Sequence, residues 1–229
     1  MPLLYPKSLG IIVALYDEAK DILENKFFQW EVLGKDIYYS YRFEIWLIIS
    51  GIGKANASFA LGRMLEHVTE VWILGTSGGL GNETIGSMYL STEFVEHDMD
   101  ATGLGFAKGV TPLSEMTQYL ICNPPNDSVN ALIRACADLE IKLFNGRTMS
   151  GDQFICHPEV VEQKKSDFGV HIVDMESAAV AKICQREGIP VLALRTISDN
   201  ANHEATNNWN ENVKQSSRYM NKILQYLLV

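Results

Sequence analysis

Along the chain, hydrophobic positions switch between continuous runs and a helical period, and that switching predicts the elements. Leu9–Leu15 is an unbroken apolar run, the pattern of a strand covered on both faces. A short helix is predicted from Asp17 to about Asn25. Phe27–Gly34, Asp36–Tyr41 and Glu44–Ser50 then read as successive strands, with Gly34-Lys35 as a turn signal. Between Gly53 and Val68, the residues Ala57, Leu61, Met64, Leu65 and Val68 share one helical face. Val71–Leu74 is another buried strand and runs into a loop, Gly75-Thr76-Ser77-Gly78-Gly79. Ser87–Glu96 predicts a further strand, and Pro124-Pro125 with Asn126-Asp127 precede a helix from about Ser128 to Leu139. The second half continues with strand Val170–Val173, helix Met175–Glu187, strand Val191–Ile197 and a closing helix from about Asn208 to Leu228. Gly188-Ile189-Pro190 ends one helix and starts the next strand. With no low-complexity linker and no internal repeat, residues 1–229 predict a single α/β domain around a largely buried sheet.

Composition narrows the partners. The chain is 47 % hydrophobic, which suits a packed core, and its net charge of −9 with a pI near 5.0 repels phosphate backbones. Lys164-Lys165 is the only adjacent basic pair, so nucleic acid is not an expected partner. No apolar run approaches the roughly 18 residues that span a bilayer, so no membrane association is expected. The run Leu9–Leu15 ends at Tyr16-Asp17-Glu18 without a small-residue cleavage site and reads as a strand, not a signal peptide. Cys122, Cys136, Cys156 and Cys184 form no CxxC pair, and buried free thiols in a reducing cytoplasm are expected.

In α/β sheets, ligands bind beyond the carboxyl ends of the strands. Leu15 is followed there by Asp17-Glu18, Val173 by Asp174-Met175-Glu176, and Ile197 by Ser198-Asp199. Glycines line the ends of two other strands, in Ser50-Gly51-Ile52-Gly53-Lys54 and in Gly75–Gly79. A single carboxylate at such a place is more often a helix cap than a catalyst. Carboxylates at three strand ends, without a cysteine or histidine cluster, favour acid–base chemistry. Glu176, in the first turn of a helix, is expected to be held ionised by the helix dipole and to accept hydrogen bonds from sugar hydroxyls. Asp199 follows an apolar strand and is a candidate proton donor, its alternative being a turn cap. Glu18, near the glycine loops, is a candidate to hold and deprotonate a water.

Other signals are weaker. Gly75-Thr76-Ser77-Gly78-Gly79 matches G-x-S-x-G, but a nucleophile elbow leads into a helix and this segment leads toward another strand. His97-Asp98-Met99-Asp100 has the residue types of a metal site, yet no second ligand group has suitable spacing, and a hydrogen-bonded structural histidine is the favoured reading. Gly51-Ile52-Gly53-Lys54 is too short to cradle phosphates.

Six ordered segments carry a resemblance. Ala14–Glu18, Ser50–Lys54, Gly75–Leu80, Ser150–Ile155, Val173–Glu176 and Arg195–Asp199 occur in the order and spacing of 5′-methylthioadenosine/S-adenosylhomocysteine nucleosidases, of the purine nucleoside phosphorylase superfamily. The resemblance runs from about Leu9 to the C-terminal helix and implies a mixed, mostly buried β-sheet flanked by helices. It implies that Asp199, with Ser198 beside it, protonates adenine N7, that Ile155 reads the adenine edge, and that Phe154 stacks on the base. Glu176 would bind the ribose hydroxyls beside Met175, and Glu18 would activate the attacking water, placed with help from Arg195 and Thr76. Leu15, Ile52 and Trp209 would line the 5′-substituent pocket. Leu104 and Pro112 would reach into the pocket of a second subunit, which implies a homodimer. The chemistry calls for an adenine nucleoside and for no cofactor or metal.

The sequence also departs from the resembled pattern. Thr76 stands where serine is more usual, Trp209 where phenylalanine is, and Leu104 replaces an aromatic residue. The segments Asn200-Ala201-Asn202 and Asn207–Asn212 are less acidic than the usual pattern, which bears on the 5′-group more than on the reaction. Three alternatives stand beside this reading: a phosphorylase, an aminodeoxyfutalosine nucleosidase, and a nucleoside-binding protein without catalysis. Ile73 stands where superfamily phosphorylases place an arginine, and an apolar side chain cannot neutralise phosphate. Intact Glu18, Glu176 and Asp199 speak against a non-catalytic binder.

Overall fold

Among the described residues, ten strands hydrogen-bond into one mixed sheet. The computed structural model describes residues 8–81, 83–112, 117–201 and 209–229. In chain order the elements are β1 (Leu9–Val13), α1 (Tyr16–Glu24), β2 (Trp30–Gly34), β3 (Ile37–Ser40), β4 (Ile45–Ile49), α2 (Lys54–Met64), β5 (Glu70–Gly79), β6 (Met88–Glu96) and β7 (Leu120–Ile121). There follow α3 (Asn126–Asp138), β8 (Leu143–Ser150), α4 (Pro158–Phe168), β9 (Ile172–Asp174), α5 (Ser177–Glu187), β10 (Val191–Asp199) and α6 (Trp209–Leu227).

The first half of the sheet is the expected buried one. β1 lies parallel between β4 and β5, and its adjacent residues Ile11 and Ile12 serve opposite faces. Ile11 joins Leu47, Trp72 and Leu194 under α1, α3 and α6, through Ile22, Leu132 and Leu224. Ile12 joins Ile48, Ile73 and Ala193 under α2 and α5, through Leu61, Met64 and Val180. Two covered faces are why these strands read as continuous apolar runs instead of alternating ones.

The second half closes on itself. β5, β9, β8, β6 and β10 pair in sequence, and β10 returns to pair with β5. β5 is the strand common to both halves. Its residues Glu70–Leu74 pair with β1, whereas Gly78 and Gly79 pair with β9. The Gly75–Gly79 segment is therefore strand and not the loop expected from its glycines, because these residues carry β5 from one neighbour to the next. The same placement rules out a nucleophile elbow, since Ser77 lies within the strand and pairs with Ile197.

Besides the two-residue β7, two elements, β8 and α4, lie where the sequence predicts none. The first five residues of β8 are half-buried or exposed, and only Thr148, Met149 and Ser150 are fully covered. In α4 only Val161 and Phe168 are buried. Neither pattern has enough apolar positions to stand out from a loop. Cys122, Cys136 and Cys184 are buried free thiols, with burial pushing Cys122 and Cys184 up to about 12 and Cys136 up to about 11, while Cys156 is half-buried. No helix among the described residues is long and apolar enough to cross a membrane.

Candidate active site

The pocket opens where β5 leaves β1. Gly75 takes a φ of +149° at that point, and a Cβ there would lie 2.7 Å from Arg195 Nη1 and 2.8 Å from Glu18 Oε1. A side chain is thus excluded both by backbone conformation and by the two charged groups that fill the space. Glu18 enters from the first turn of α1 and is buried. Its Oε1 accepts the Thr76 backbone N–H at 2.7 Å and the Thr76 hydroxyl at 2.8 Å, and its Oε2 accepts the Leu15 N–H at 3.1 Å.

Glu176 comes from the other side, as the residue capping α5. Its Oε1 accepts the Gly53 N–H at 3.0 Å and its Oε2 lies 3.4 Å from Arg195 Nη2. The expectation that a helix N-terminus would favour its ionised form is overturned. Burial raises its pKa to about 7, a rise opposed by Arg195 and added to by the negative charges of Asp174 and Glu18. Loss of water outweighs the half-charge of a helix end, which is worth about 1 kcal/mol or less in ordinary settings.

Asp199 ends β10, buried at the far side of the same pocket. Its Oδ2 accepts the Ser198 hydroxyl at 2.8 Å and its Oδ1 accepts the Ala201 N–H at 2.9 Å. The turn-cap reading is thus partly right, but the carboxyl also faces the pocket.

The loop after β8 forms the remaining wall with Gln153, Phe154 and Ile155, of which Phe154 is 53 % exposed at the rim and Ile155 is buried. This loop is tied to the one before α2, because Asp152 Oδ1 accepts the Lys54 N–H at 2.8 Å and Asp98 accepts both the Asp152 N–H (2.9 Å) and Lys54 Nζ (2.7 Å). His97 lies behind it. Among the described residues neither ring nitrogen has a hydrogen-bond partner, which corrects the expectation of a hydrogen-bonded histidine. Burial holds it neutral, with its pKa lowered to about 4. Gly151 leaves room for the ring, since a Cβ there would sit 2.5 Å from His97 Nε2.

Of the residues singled out from sequence, Glu18, Thr76, Phe154, Ile155, Met175, Glu176, Ser198, Asp199, Leu15 and Ile52 line one pocket. Arg195 does not line it. It is fully buried beneath the floor, with Nη1 donating to the Thr76 carbonyl at 3.4 Å and Nη2 donating to Ser177 Oγ at 2.9 Å. Leu104 is 74 % exposed and Pro112 half-buried, and neither lines this chain's pocket. The Trp209 side chain and residues 202–208 lie outside the described residues. Sequence reasoning gave no role to Asp174, Gln153 or Ser77, which also line the pocket. Asp174 had a usable signal, an acidic residue two positions before Glu176 at a strand end.

Among the described residues, no lysine or arginine lines the pocket, and Ile73 is buried in the apolar core. The sequence profile of the phosphorylase superfamily matches residues 8–228. A 5′-methylthioadenosine/S-adenosylhomocysteine nucleosidase of Shewanella loihica is 33 % identical, over 87 % of this chain and 84 % of its own length. An aminodeoxyfutalosine nucleosidase of Helicobacter pylori is 31 % identical, over 97 % of this chain and 98 % of its own. A crystal structure of a nucleosidase variant from Helicobacter pylori, with 5′-methylthioadenosine in its active site, superimposes with a TM-score of 0.87 at 27 % identity, covering 97 % of this chain and 98 % of that one.

The Gly75 geometry yields a stability test. Gly75→Ala is expected to lower stability by about 2 kcal/mol or more, from backbone strain and displaced charges. Gly62→Ala, in α2 with nothing within 4 Å of the added Cβ, is expected to raise it by about 0.5–1 kcal/mol. Denaturant unfolding of both variants checks the contrast, and a neutral Gly75→Ala would contradict it.

Proposed function

We infer that this chain, which belongs to the phosphorylase superfamily and within it to the 5′-methylthioadenosine/S-adenosylhomocysteine nucleosidases, hydrolyses the N-glycosidic bond of 5′-substituted adenine nucleosides with the groups assembled in this pocket. The observation that carries the choice of water over phosphate is the lining, which holds Glu18, Asp174, Glu176 and Asp199 and no cation among the described residues. A phosphate dianion would meet carboxylates in that lining, the one nearby guanidinium lying beneath the floor and engaged by Asp174 and Glu176.

In this reading the Asp199 carboxyl donates its proton to adenine N7. The C1′–N9 bond breaks with its electron pair moving into the purine, which leaves as neutral adenine. Proton donation of this kind is worth about 10²–10⁴-fold in rate. The sugar is left as an oxocarbenium-like cation, and Glu176 on its hydroxyls opposes that positive charge. Water adds to C1′ and gives its proton to Glu18, which Thr76 holds in place through two hydrogen bonds. Phe154 and Ile155 take the base, with Met175 beside the sugar. Leu15 and Ile52 flank the 5′-group. Arg195 acts from beneath, as the positioning residue for the carboxylates. Clearing such nucleosides is a step of methionine salvage in the cytoplasm.

A second substrate has support from the Helicobacter pylori aminodeoxyfutalosine nucleosidase, which matches over 97 % of this chain. Ile52, 49 % exposed, and Phe154 leave the rim open toward a large 5′-group.

Three measurements test the reading. In phosphate-free buffer the protein is expected to release adenine and a 5-substituted ribose, with kcat/KM compared across methylthioadenosine, adenosylhomocysteine, deoxyadenosine and aminodeoxyfutalosine. Ribose 1-phosphate as the main product in phosphate buffer would overturn hydrolysis. Asp199→Asn keeps an acceptor for the Ala201 N–H but has no proton to give, so kcat is expected to fall about 10²-fold or more, roughly 3 kcal/mol of barrier, with Tm little changed. Near wild-type kcat in a well-folded variant would remove Asp199 from the mechanism. The exposed Leu104 and half-buried Pro112 have no pocket to fill in their own chain, and we expect a homodimer in which each serves the other's site. Light scattering should give twice 25.6 kDa, and a fully active monomer would contradict it.

A further inference from the structure

The pocket floor holds a fourth carboxylate to which the reaction above gives no task. Asp174, the last residue of β9, has a side chain only 2 % exposed. Four hydrogen bonds and one ion pair converge on it. Its Oδ1 accepts the Glu176 and Ser177 backbone N–H groups, both at 3.1 Å, and the Ser150 hydroxyl. Its Oδ2 accepts the Ser177 hydroxyl and lies 2.9 Å from Arg195 Nη2. An ionised carboxylate offers about four lone-pair sites, so none is left for a ligand.

The two ion pairs of Arg195 are unequal. Nη2 is 2.9 Å from Asp174 and 3.4 Å from Glu176, and Ser177 Oγ, 2.9 Å from the same nitrogen, holds it on the Asp174 side. The shorter ion pair therefore goes to Asp174, whose lone pairs are already taken, while Glu176, which faces the sugar, keeps only a long hydrogen bond of 3.4 Å from the same nitrogen.

We propose that Asp174 is a positioning residue that draws the Arg195 guanidinium toward itself and keeps its hydrogen bond to Glu176 long, so that Glu176 stays an only partly compensated carboxyl, available to the ribose hydroxyls. The proposal rests on the reading that Glu176 binds the sugar. The charged and polar groups facing Glu176 are Arg195 from β10, Asp174 from β9, Glu18 from α1 and the Gly53 N–H from the loop before α2. Burial is the largest influence and raises its pKa, Arg195 opposes the rise, and Asp174 adds to it. Removing the charge of Asp174 takes away one repulsion and frees Arg195 to close on Glu176. Both effects lower the pKa of Glu176, so its ionised form persists to lower pH.

Asp174→Asn keeps an oxygen for the two backbone N–H groups, removes the charge and turns an amide NH2 toward Ser177 and Arg195. Carbon-13 NMR of glutamate carboxyls, with the Glu176 signal assigned through Glu176→Gln, reads the titration in the unliganded protein. The expected result is a midpoint lower by about one pH unit or more, with the acid limb of kcat/KM moving alongside it and kcat at pH 8 reduced about tenfold, since a fully paired carboxylate opposes the sugar cation less. Ser150→Ala removes a hydrogen bond from Asp174 without touching charge, and should lower Tm while leaving the midpoint in place. Should Asp174→Asn fail to fold, Ser177→Ala decides the matter, because it releases Arg195 with every charge intact and should move the midpoint the same way. A folded Asp174→Asn, or failing that Ser177→Ala, with the wild-type midpoint overturns the proposal, as does a shift of equal size in Ser150→Ala. A wild-type protein that releases no adenine sinks the nucleosidase reading instead, and the NMR titration still decides the role of Asp174.

Discussion

One guanidinium sets the geometry of this site. Arg195 is fully buried, and a buried charge without partners would cost several kcal/mol. Its partners arrive from separate elements: Asp174 from β9, Glu176 from the cap of α5 and the Thr76 carbonyl from β5, while Glu18 at the start of α1 adds its charge. None of these elements can shift without exposing or stranding a charge. The pocket carboxylates are thereby held by electrostatics as much as by packing, and the apolar layers beneath supply the rigid frame. Arg195 does this from beneath the floor, where it stays out of the ligand's way.

The gap that admits these charges is made by the sheet. β5 pairs with β1 up to Leu74 and with β9 from Gly78. Between those points it has β10 on one side only, and Glu18 occupies the other. A strand edge left open inside a protein must satisfy its N–H groups elsewhere. Here the Thr76 N–H finds the Glu18 carboxylate at 2.7 Å, so the defect in the sheet and the seat of a pocket carboxylate are the same feature. Gly75 is required there because the strand turns through a positive φ and because the two charges leave no volume for a Cβ.

This division explains what could be read from the sequence. The buried strands β1, β4 and β10 were legible because two covered faces write continuous apolar runs, and the carboxylates at the ends of β1, β9 and β10 marked the pocket. β8 and α4 were not legible because few of their positions are buried, so burial left little imprint on residue type. The extension of β5 through Gly79 was hidden for another reason. Pairing between β5, β9 and β10 is a long-range matter, and a glycine run that changes strand partners has the same local composition as a loop. For Glu176 the position was legible and the electrostatics were not: the helix start is visible in sequence, whereas the burial that overrides it depends on residues more than a hundred positions away, at Glu18 and Gly53. The same holds for His97, whose ring has no hydrogen-bond partner among the described residues and lies against Gly151, more than fifty positions away in sequence.

The character of the lining then bears on the choice of nucleophile. Four carboxylates around one pocket are a poor seat for phosphate and a good one for a positively charged sugar. Burial leaves Glu176 short of counter-charge and raises its pKa against the single guanidinium beneath it, and Asp174 and Glu18 add to that conflict. A ligand that develops positive charge at the sugar relieves the conflict, because it supplies the missing counter-charge only as the glycosidic bond breaks. The unliganded pocket is therefore less well compensated than the pocket around the transition state, which is the direction of complementarity that accelerates a reaction.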